Sequence, residues 1–200
     1  MTQIYFVRHA LPNFDNHNDL ARELTQIGLQ DTMLVVDYFK GKKIDAILSS
    51  PYKRAFDTVA PLAEERSMTI IPIDDFRERK VDSIWIEDFD EFADRQWADF
   101  NYKLKDGETL GEVQERNIAA LRTVLDAYSD RMVVIGGHGT AISTVINYFL
   151  PEFGRDDYLR IQPKMPWVVR LDFEGDVCKQ IEEFDLFAGE RILHSLSGGN

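Results

Sequence analysis

The sequence contains one cysteine, Cys178, among its 200 residues. A single thiol can form no disulfide within the chain, and it offers no cluster of the kind that structural zinc sites use. The N-terminus lacks a basic region followed by an apolar run of signal-peptide length, and no stretch reaches the ~18 apolar residues of a membrane span. We therefore expect a soluble protein of the reducing cytoplasm, with no membrane partner.

Basic residues are also scarce. The chain has 23 lysines and arginines against 35 aspartates and glutamates, which gives a formal net charge of -12. This charge repels phosphate backbones, so we expect no nucleic-acid partner. A small phosphorylated ligand is repelled at long range as well, and its site would need a local group of arginine, histidine and backbone N–H donors.

The apolar residues, 44% of the chain, are sufficient for one buried core, and we expect a single domain over residues 1–200. Short apolar runs that predict strands lie at 3–7, 44–48, 69–73 and 132–135. They alternate with helical segments, which predicts a three-layer α/β/α sandwich with a mostly parallel central sheet. Glu174-Gly175-Asp176 lies between two further apolar runs and predicts an antiparallel hairpin that finishes the sheet.

The segment of about 82–106 predicts a helical insertion. Its apolar residues recur every three or four positions among acidic ones, and they are Trp85, Phe89, Phe92, Ala93, Trp97 and Phe100. This spacing predicts an amphipathic helix between Ile84 and Lys105, which either packs on the domain only or also covers the active site. If its acidic residues overhang the site, they should disfavour polyanionic substrates. Its exposed aromatic residues leave a homodimer open.

Basic or imidazole side chains fall at three predicted strand ends. Arg8-His9 ends the first predicted strand, His138 follows a later one in Gly-Gly-His-Gly, and Arg54 begins the helix after Ser49-Ser50-Pro51. Ligands bind at the carboxyl ends of parallel strands, so these side chains are expected to converge on one pocket. Two histidines and two arginines suit phosphoryl transfer to nitrogen, because guanidinium groups bind phosphate oxygens and lower the pKa of a neighbouring imidazole.

A metal site is the alternative use of paired histidines. An adjacent arginine opposes a bound cation, and no carboxylate lies at a recognisable ligand spacing. We therefore expect neither a metal nor another cofactor.

Five ordered motifs carry a family resemblance. They are Ile4-Tyr-Phe-Val-Arg8-His9, Leu24-Thr-Gln-Ile-Gly28, Ile47 to Thr58, Gly107-Glu-Thr with Val113-Gln-Glu-Arg116, and Val133-Val-Ile-Gly-Gly-His138-Gly. Together they look like the histidine phosphatase superfamily (phosphoglycerate mutase-like, branch 1), from residue 3 to about 150. The Arg-His pair alone is common, whereas the ordered set is specific.

The resemblance implies a role for each matching residue. His9 would be the phosphorylated nucleophile, and Arg8, Arg54 and His138 would bind the phosphoryl group, with the backbone N–H of Gly139 as a further donor. The proton donor of the family follows the third strand, so the role falls to Glu78, with Asp75 as its nearest competitor.

The loop after His9 departs from the family pattern. Ala10-Leu11-Pro12-Asn13 replaces the usual Gly, Glu and Ser or Thr, so Asn13 or Asn16 is a candidate for the lost phosphate contact, although loop asparagines more often form turns. His17 either reaches the pocket mouth or lies on a loop surface, and we favour the surface. His194 is expected to be exposed.

The function predicted is a phosphatase that hydrolyses a small phosphomonoester through a phosphohistidine at His9. Two alternatives remain open. One is a phosphotransferase of the phosphoglycerate mutase type, and the other is a non-catalytic protein that binds a phosphorylated ligand.

Overall fold

Short apolar segments form one central sheet in the computed structural model, which describes residues 1–196. Its seven strands are β1 (Thr2–Arg8), β2 (Ala46–Ser49), β3 (Ile70–Pro72), β4 (Met132–Gly137), β5 (Trp167–Glu174), β6 (Val177–Asp185) and β7 (Glu190–His194). Their order across the sheet is β3-β2-β4-β1-β5-β6-β7. The first four strands along the chain pair in parallel, and the remaining three are added antiparallel at one side. The sheet is thus a mostly parallel one extended by a C-terminal meander.

The helices cover both faces of the sheet. They are α1 (Gln26–Tyr38), α2 (Lys53–Arg66), α3 (Phe89–Ala98), α4 (Leu110–Ala127), α5 (Gly139–Phe149) and α6 (Arg155–Ile161). Alternate residues of β1 point to opposite faces: Tyr5 and Val7 pack with α1 and α2, and Ile4 and Phe6 pack with α4, α5 and α6. This two-sided core confirms the predicted three-layer α/β/α architecture.

The predicted insertion is helical over a shorter range than its periodicity indicated. The helix α3 begins only at Phe89, where the Asp88 side chain accepts from Glu91 N, and it ends at Ala98. Residues on both sides of it, including Trp85, are irregular. The prediction of one helix from Ile84 to Lys105 was therefore wrong, because Asp88 caps the chain in the middle of the apolar pattern.

The C-terminal region differs from the prediction in one further respect. The predicted hairpin forms as β5 and β6, but a third strand, β7, pairs with β6. His194 lies in β7, and its Nε2 is 2.6 Å from Oε1 of the buried Glu183. The expectation that His194 is exposed was therefore wrong.

No helix within residues 1–196 is long and apolar enough to cross a bilayer.

Candidate active site

A cavity of about 1200 Å³ opens at the carboxyl end of the parallel strands. Four of the residues predicted from the sequence line it, and they are Arg8, His9, Arg54 and Glu78. Each follows a strand: Arg8 and His9 end β1, Arg54 lies in the first turn of α2 after β2, and Glu78 lies shortly after β3. The parallel order β3-β2-β4-β1 brings these strand ends to one edge of the sheet.

The imidazole of His9 is held in one tautomer. Its Nδ1 lies 2.8 Å from the carbonyl oxygen of Ala10. A carbonyl oxygen can only accept, so Nδ1 carries the proton and Nε2 keeps its lone pair. Burial lowers the pKa of His9 well below its ordinary value, and the positive charges of Arg54 and Arg8 lower it further. The ring is therefore neutral at neutral pH, with Nε2 as an available nucleophile.

Arg8 is anchored by one half of its guanidinium group. Its Nη1 donates to the carbonyls of Ile161 at 2.7 Å and Gln162 at 2.9 Å, at the end of α6. Its buried Nε has no hydrogen-bond partner. No carboxylate lies within salt-bridge distance of Arg8 among the ion pairs of residues 1–196. Arg8 therefore adds to the lining of the cavity a positive charge that no ion pair of residues 1–196 neutralises.

Arg54 is held by a single residue of the β1–α1 loop. Its Nη1 donates to the backbone oxygen of Asp19 at 2.6 Å, and its Nη2 lies 2.9 Å from Asp19 Oδ1. The guanidinium group is only 2% exposed and lies over the ring of Tyr52. Two-point anchoring fixes the orientation of this cation beside His9.

His138 lies behind His9 rather than on the cavity surface. The two ring centroids are 5.4 Å apart. Its Nε2 is 2.8 Å from Ser50 Oγ, whereas its buried Nδ1 has no partner. Burial, and after it the charge of Arg54, lowers the pKa of His138 well below its ordinary value. A neutral His138 can hold a proton on Nδ1 as a donor, if Ser50 donates its hydroxyl proton to Nε2.

Glu78 occupies the N-terminal end of α5. Its carboxylate accepts from Thr140 N at 3.1 Å and Ala141 N at 3.2 Å, and from its neighbour Arg79 N at 2.8 Å. Helix N-termini favour such negative groups. Asp75, the competing candidate, is exposed, pairs with Arg77 and does not line the cavity. Glu78 therefore lines the cavity and Asp75 does not.

The motif of Gly107-Glu-Thr with Val113-Gln-Glu-Arg116 positions the segment that carries Glu78. Arg116 donates to the carbonyls of Asp75, Arg77 and Glu78 at 2.7 to 3.2 Å. Its guanidinium group also pairs with Glu108 at 2.9 Å. A Cβ on Gly107 would lie 2.1 Å from the carbonyl oxygen of Val81, so only glycine allows this close approach. These residues therefore support the site without entering it.

Two predicted contacts are not made by the residues to which they were assigned. The side-chain amide of Asn16 donates to Glu23 at 2.6 Å, and Asn16 does not line the cavity. The amide of Asn13 also donates to Glu23, so neither asparagine replaces the lost phosphate contact. Gly139 stands behind Arg8, where a Cβ would lie 2.9 Å from Arg8 Nε, and the next residue, Thr140, lines the cavity instead.

Sequence reasoning missed Arg22. Its side chain lines the cavity, is held by the carbonyl of Asn16 at 2.7 Å, and lies 3.3 Å from the Asp19 carboxylate that also anchors Arg54. A signal was present: Arg22 is the only lysine or arginine between Arg8 and Lys40 in an acidic chain. Arg22 can supply the cationic contact that neither asparagine makes.

The insertion covers the mouth of the cavity. Of the two interpretations of this segment, packing on the domain only or also covering the site, the second is therefore the one that fits. The roof, defined as residues 82–98, contributes Asp82, Ser83, Ile84, Trp85, Ile86 and Phe89 to the lining. The ring of Trp85 stacks on His17 with centroids 3.9 Å apart, which joins the roof to the β1–α1 loop. His17 therefore reaches the pocket mouth, and the preferred surface interpretation was wrong.

The acidic residues of α3 do not overhang the cavity. Asp94 lies 2.6 Å from Arg155 Nε, Asp90 lies 4.0 Å from the same guanidinium group, and Glu91 pairs with Arg95. None of these three carboxylates lines the cavity. Among the carboxylates of residues 82–98, Asp82 lines the cavity, so the condition on which the acidic roof would repel polyanions is met by this one residue only.

Across the part of the chain that the structure describes, no three histidine, cysteine or carboxylate side chains come close enough to hold an ion.

Comparison with known proteins identifies a matching family. The sequence profile of the histidine phosphatase superfamily (branch 1) matches residues 4–184. An uncharacterized phosphatase, PhoE, from Bacillus subtilis is 29% identical over 150 residues, which cover 73% of this chain and 76% of that protein.

Solved structures share the fold. YhfR from Bacillus stearothermophilus superposes with a TM-score of 0.72 at 22% identity and covers 89% of this chain and 94% of its own. A phosphoserine phosphatase from Entamoeba histolytica, in complex with phosphoserine, has a TM-score of 0.72 at 20% identity and covers 99% and 98% of the two chains.

Proposed function

Because the chain belongs to the histidine phosphatase superfamily (branch 1), we propose that it hydrolyses a small phosphomonoester through a phosphohistidine at His9. The relatives support a phosphatase in general. The observation that carries the finer proposal is the state of His9, whose protonated Nδ1 is held by Ala10 while Nε2 is free, in a cavity with two arginines.

The first step transfers the phosphoryl group to nitrogen. The lone pair of His9 Nε2 forms the bond to phosphorus as the bond from phosphorus to the ester oxygen breaks. Glu78 gives its proton to the leaving oxygen. Arg8 and Arg54, with a donor on His138, stabilise the negative charge of the phosphoryl oxygens.

The second step releases phosphate. Water attacks phosphorus, its proton passes to the Glu78 carboxylate, and the phosphorus–nitrogen bond breaks to return the electron pair to Nε2. The starting state is restored after one hydrolysis. No step of this cycle calls for a metal or an organic cofactor.

The substrate class comes by analogy. The Entamoeba relative is bound to phosphoserine, and a small phosphorylated metabolite is the corresponding proposal here. The single thiol takes no part, since burial raises the pKa of Cys178 to about 12. The reducing cytoplasm is the location that we propose.

The test measures phosphate release and the phosphoenzyme together. Purified protein is incubated with an aryl phosphate in the presence of a chelator, quenched, and analysed by intact mass for one added phosphoryl group that is labile in acid and stable in base. We expect wild type to turn over and to trap this species, and His9→Ala to lose both, by about 10⁴-fold or more in turnover. His194→Ala, which removes a histidine outside the cavity, is the matched control.

Each of the other outcomes favours one alternative. A phosphoenzyme that is discharged by a second alcohol and not by water would indicate a phosphotransferase of the mutase type. Absence of turnover with retained phosphate binding, measured by calorimetry, would indicate a binding protein. Unchanged turnover in His9→Ala would contradict the mechanism.

A further inference from the structure

We propose that the alcohol part of the substrate is apolar and larger than a three-carbon acid, and that it binds under the roof against Ile84, Ile86, Phe89 and Phe14. This inference rests on the proposed phosphatase function and adds the class of leaving group to it.

The cavity has two chemically different parts. The charged residues Arg8, His9, Arg54 and Glu78 lie at the sheet edge, where the phosphoryl group is proposed to bind. The lining also has an apolar part, in which Ile84, Ile86 and Phe89 come from the roof and Phe14 comes from the β1–α1 loop. Charged side chains of Arg22, Lys80 and Asp82 line the same cavity. An ester bound with its phosphoryl group at His9 directs its alcohol towards this apolar part.

The apolar lining is exposed in the free protein. Phe14 is 53% exposed and Ile84 is 74% exposed, although both border a concave site. Large apolar side chains that stay accessible in a cavity gain free energy when a ligand removes them from water. A hydroxy acid or a sugar would leave this gain unused, whereas an alkyl or aryl group would obtain it.

The size of the cavity points in the same direction. Its volume of about 1200 Å³ lies above the range of roughly 300–1,000 Å³ that is usual for small-molecule pockets. A phosphoryl group with a three-carbon acid would fill only a small part of this volume. The space under the roof remains for a larger group.

The roof presents little charge to the ligand. The α3 acids lie against Arg155 and Arg95, so that Asp82 is the carboxylate that residues 82–98 contribute to the lining. The buried Arg79 lies 5.0 Å from the ring centroid of Phe89 and donates to Gln96 at 2.8 Å. Arg79 thus contacts the roof and also lines the cavity.

One observation supports the competing class of anionic leaving groups. Nη2 of Arg79 is buried without a hydrogen-bond partner. A carboxylate on the substrate could accept from it if the roof moved. The experiment therefore compares both kinds of ester directly.

The probes are straight-chain alkyl phosphates from ethyl to octyl, whose leaving groups have nearly the same acidity, together with phosphoserine and 3-phosphoglycerate. We expect kcat/KM to rise by up to about fourfold for each added CH₂ until the roof is filled, since each methylene removed from water contributes this factor. The kcat/KM of hexyl phosphate should exceed that of phosphoserine and that of 3-phosphoglycerate.

Two variants connect the chain-length dependence to the roof. Ile84→Ser and Phe14→Ser should each reduce the gain per CH₂. Leu29→Ser, at an exposed apolar position of α1, should leave the dependence as in wild type.

Different results would contradict the apolar leaving group and the phosphatase function on which it rests. Hydrolysis of ethyl phosphate or phosphoserine with no gain along the alkyl series would overturn the inference and keep the phosphatase. A preference for phosphoserine that Arg79→Met abolishes would assign the second subsite to an anion and also overturn it. Absence of hydrolysis for every ester would remove the phosphatase function itself.

Discussion

The floor of the cavity and its roof differ in how their residues are held. In the floor, formed by Arg8, His9, Arg54 and Glu78, side chains are bound by backbone groups: His9 by Ala10, Arg8 by the end of α6, Arg54 by Asp19, and Glu78 by the start of α5. In the roof, side chains that line the cavity are held chiefly by stacking, such as Trp85 on His17.

This difference corresponds to two separate functions, phosphoryl transfer in the floor and recognition of the leaving group in the roof. Phosphoryl transfer requires cations and a nucleophile at fixed positions, and strand ends with main-chain donors and acceptors provide them. Recognition of a leaving group requires shape and apolar area, which a loop and a short helix can supply without strict geometry. We therefore expect substitutions in the floor to affect kcat with every substrate, and substitutions in the roof to affect mainly the choice between substrates.

The largest effect that would test this separation is expected from Arg54→Ala. Loss of one anchored cation beside the phosphoryl group should lower kcat/KM by about 10²–10³-fold for every ester, irrespective of chain length. Arg66→Ala, at the opposite end of the same helix, should retain wild-type kinetics. A loss restricted to long esters would break the distinction between floor and roof.

A smaller effect is expected from Gln96→Leu, which acts on the roof. The amide of Gln96 accepts from Arg79 and donates to the carbonyls of Tyr102 and Glu108. Its loss leaves a buried cation with fewer partners and should cost about 1–3 kcal/mol of unfolding free energy, measured by urea denaturation. Gln30→Leu, the same change at an exposed position of α1, is the control and should cost less than about 0.5 kcal/mol. Equal losses in both variants would show that Gln96 does not hold the roof.

The pH dependence of stability gives the smallest of the three effects. The folded-state pKa values of His9 and His138 lie below the ordinary value of about 6.5. Below that pH the unfolded chain binds more protons than the folded one, so each histidine lowers the unfolding free energy as the pH falls. The unfolding free energy falls by at most about 1.4 kcal/mol per pH unit for each histidine.

The measurement is the unfolding free energy of wild type and His138→Gln at pH 7.5 and 5.5. We expect wild type to lose more stability than the variant over this interval, because the variant lacks one of the two buried imidazoles. An equal loss would show that His138 is not buried as a neutral group.

Much of the floor, and His138 behind it, could be predicted from the sequence. Arg8-His9, Arg54 and His138 each follow an apolar run, and the alternation of strands and helices directs such residues to one sheet edge. Glu78 depended on the family resemblance, because its position after β3 had no comparable local signal. Arg22 had a signal in the composition but none for its position, because Arg22 and Asp19 lie in a loop whose path depends on the elements that surround it.

The roof was predicted less well, and the reason is physical. Periodicity located the amphipathic segment, but Asp88 caps the helix inside the apolar pattern and leaves Trp85 in a loop. The same periodicity could not show that the apolar residues of the loop, rather than the acidic residues of the helix, face the cavity. Arg155, far along the chain, binds the acidic side of α3 and decides this orientation.

The sequence by itself determined the layered fold, the strand ends that carry the two histidines and two arginines, and membership of the family. These features follow from local hydrophobic patterns and ordered motifs, which need no knowledge of distant contacts. The tertiary structure decided the tautomer of His9, the free Nε of Arg8, the place of Glu78 at α5 and the apolar roof. Each of these depends on contacts between residues that are remote in sequence or on hydrogen-bond geometry, and no local pattern encodes them.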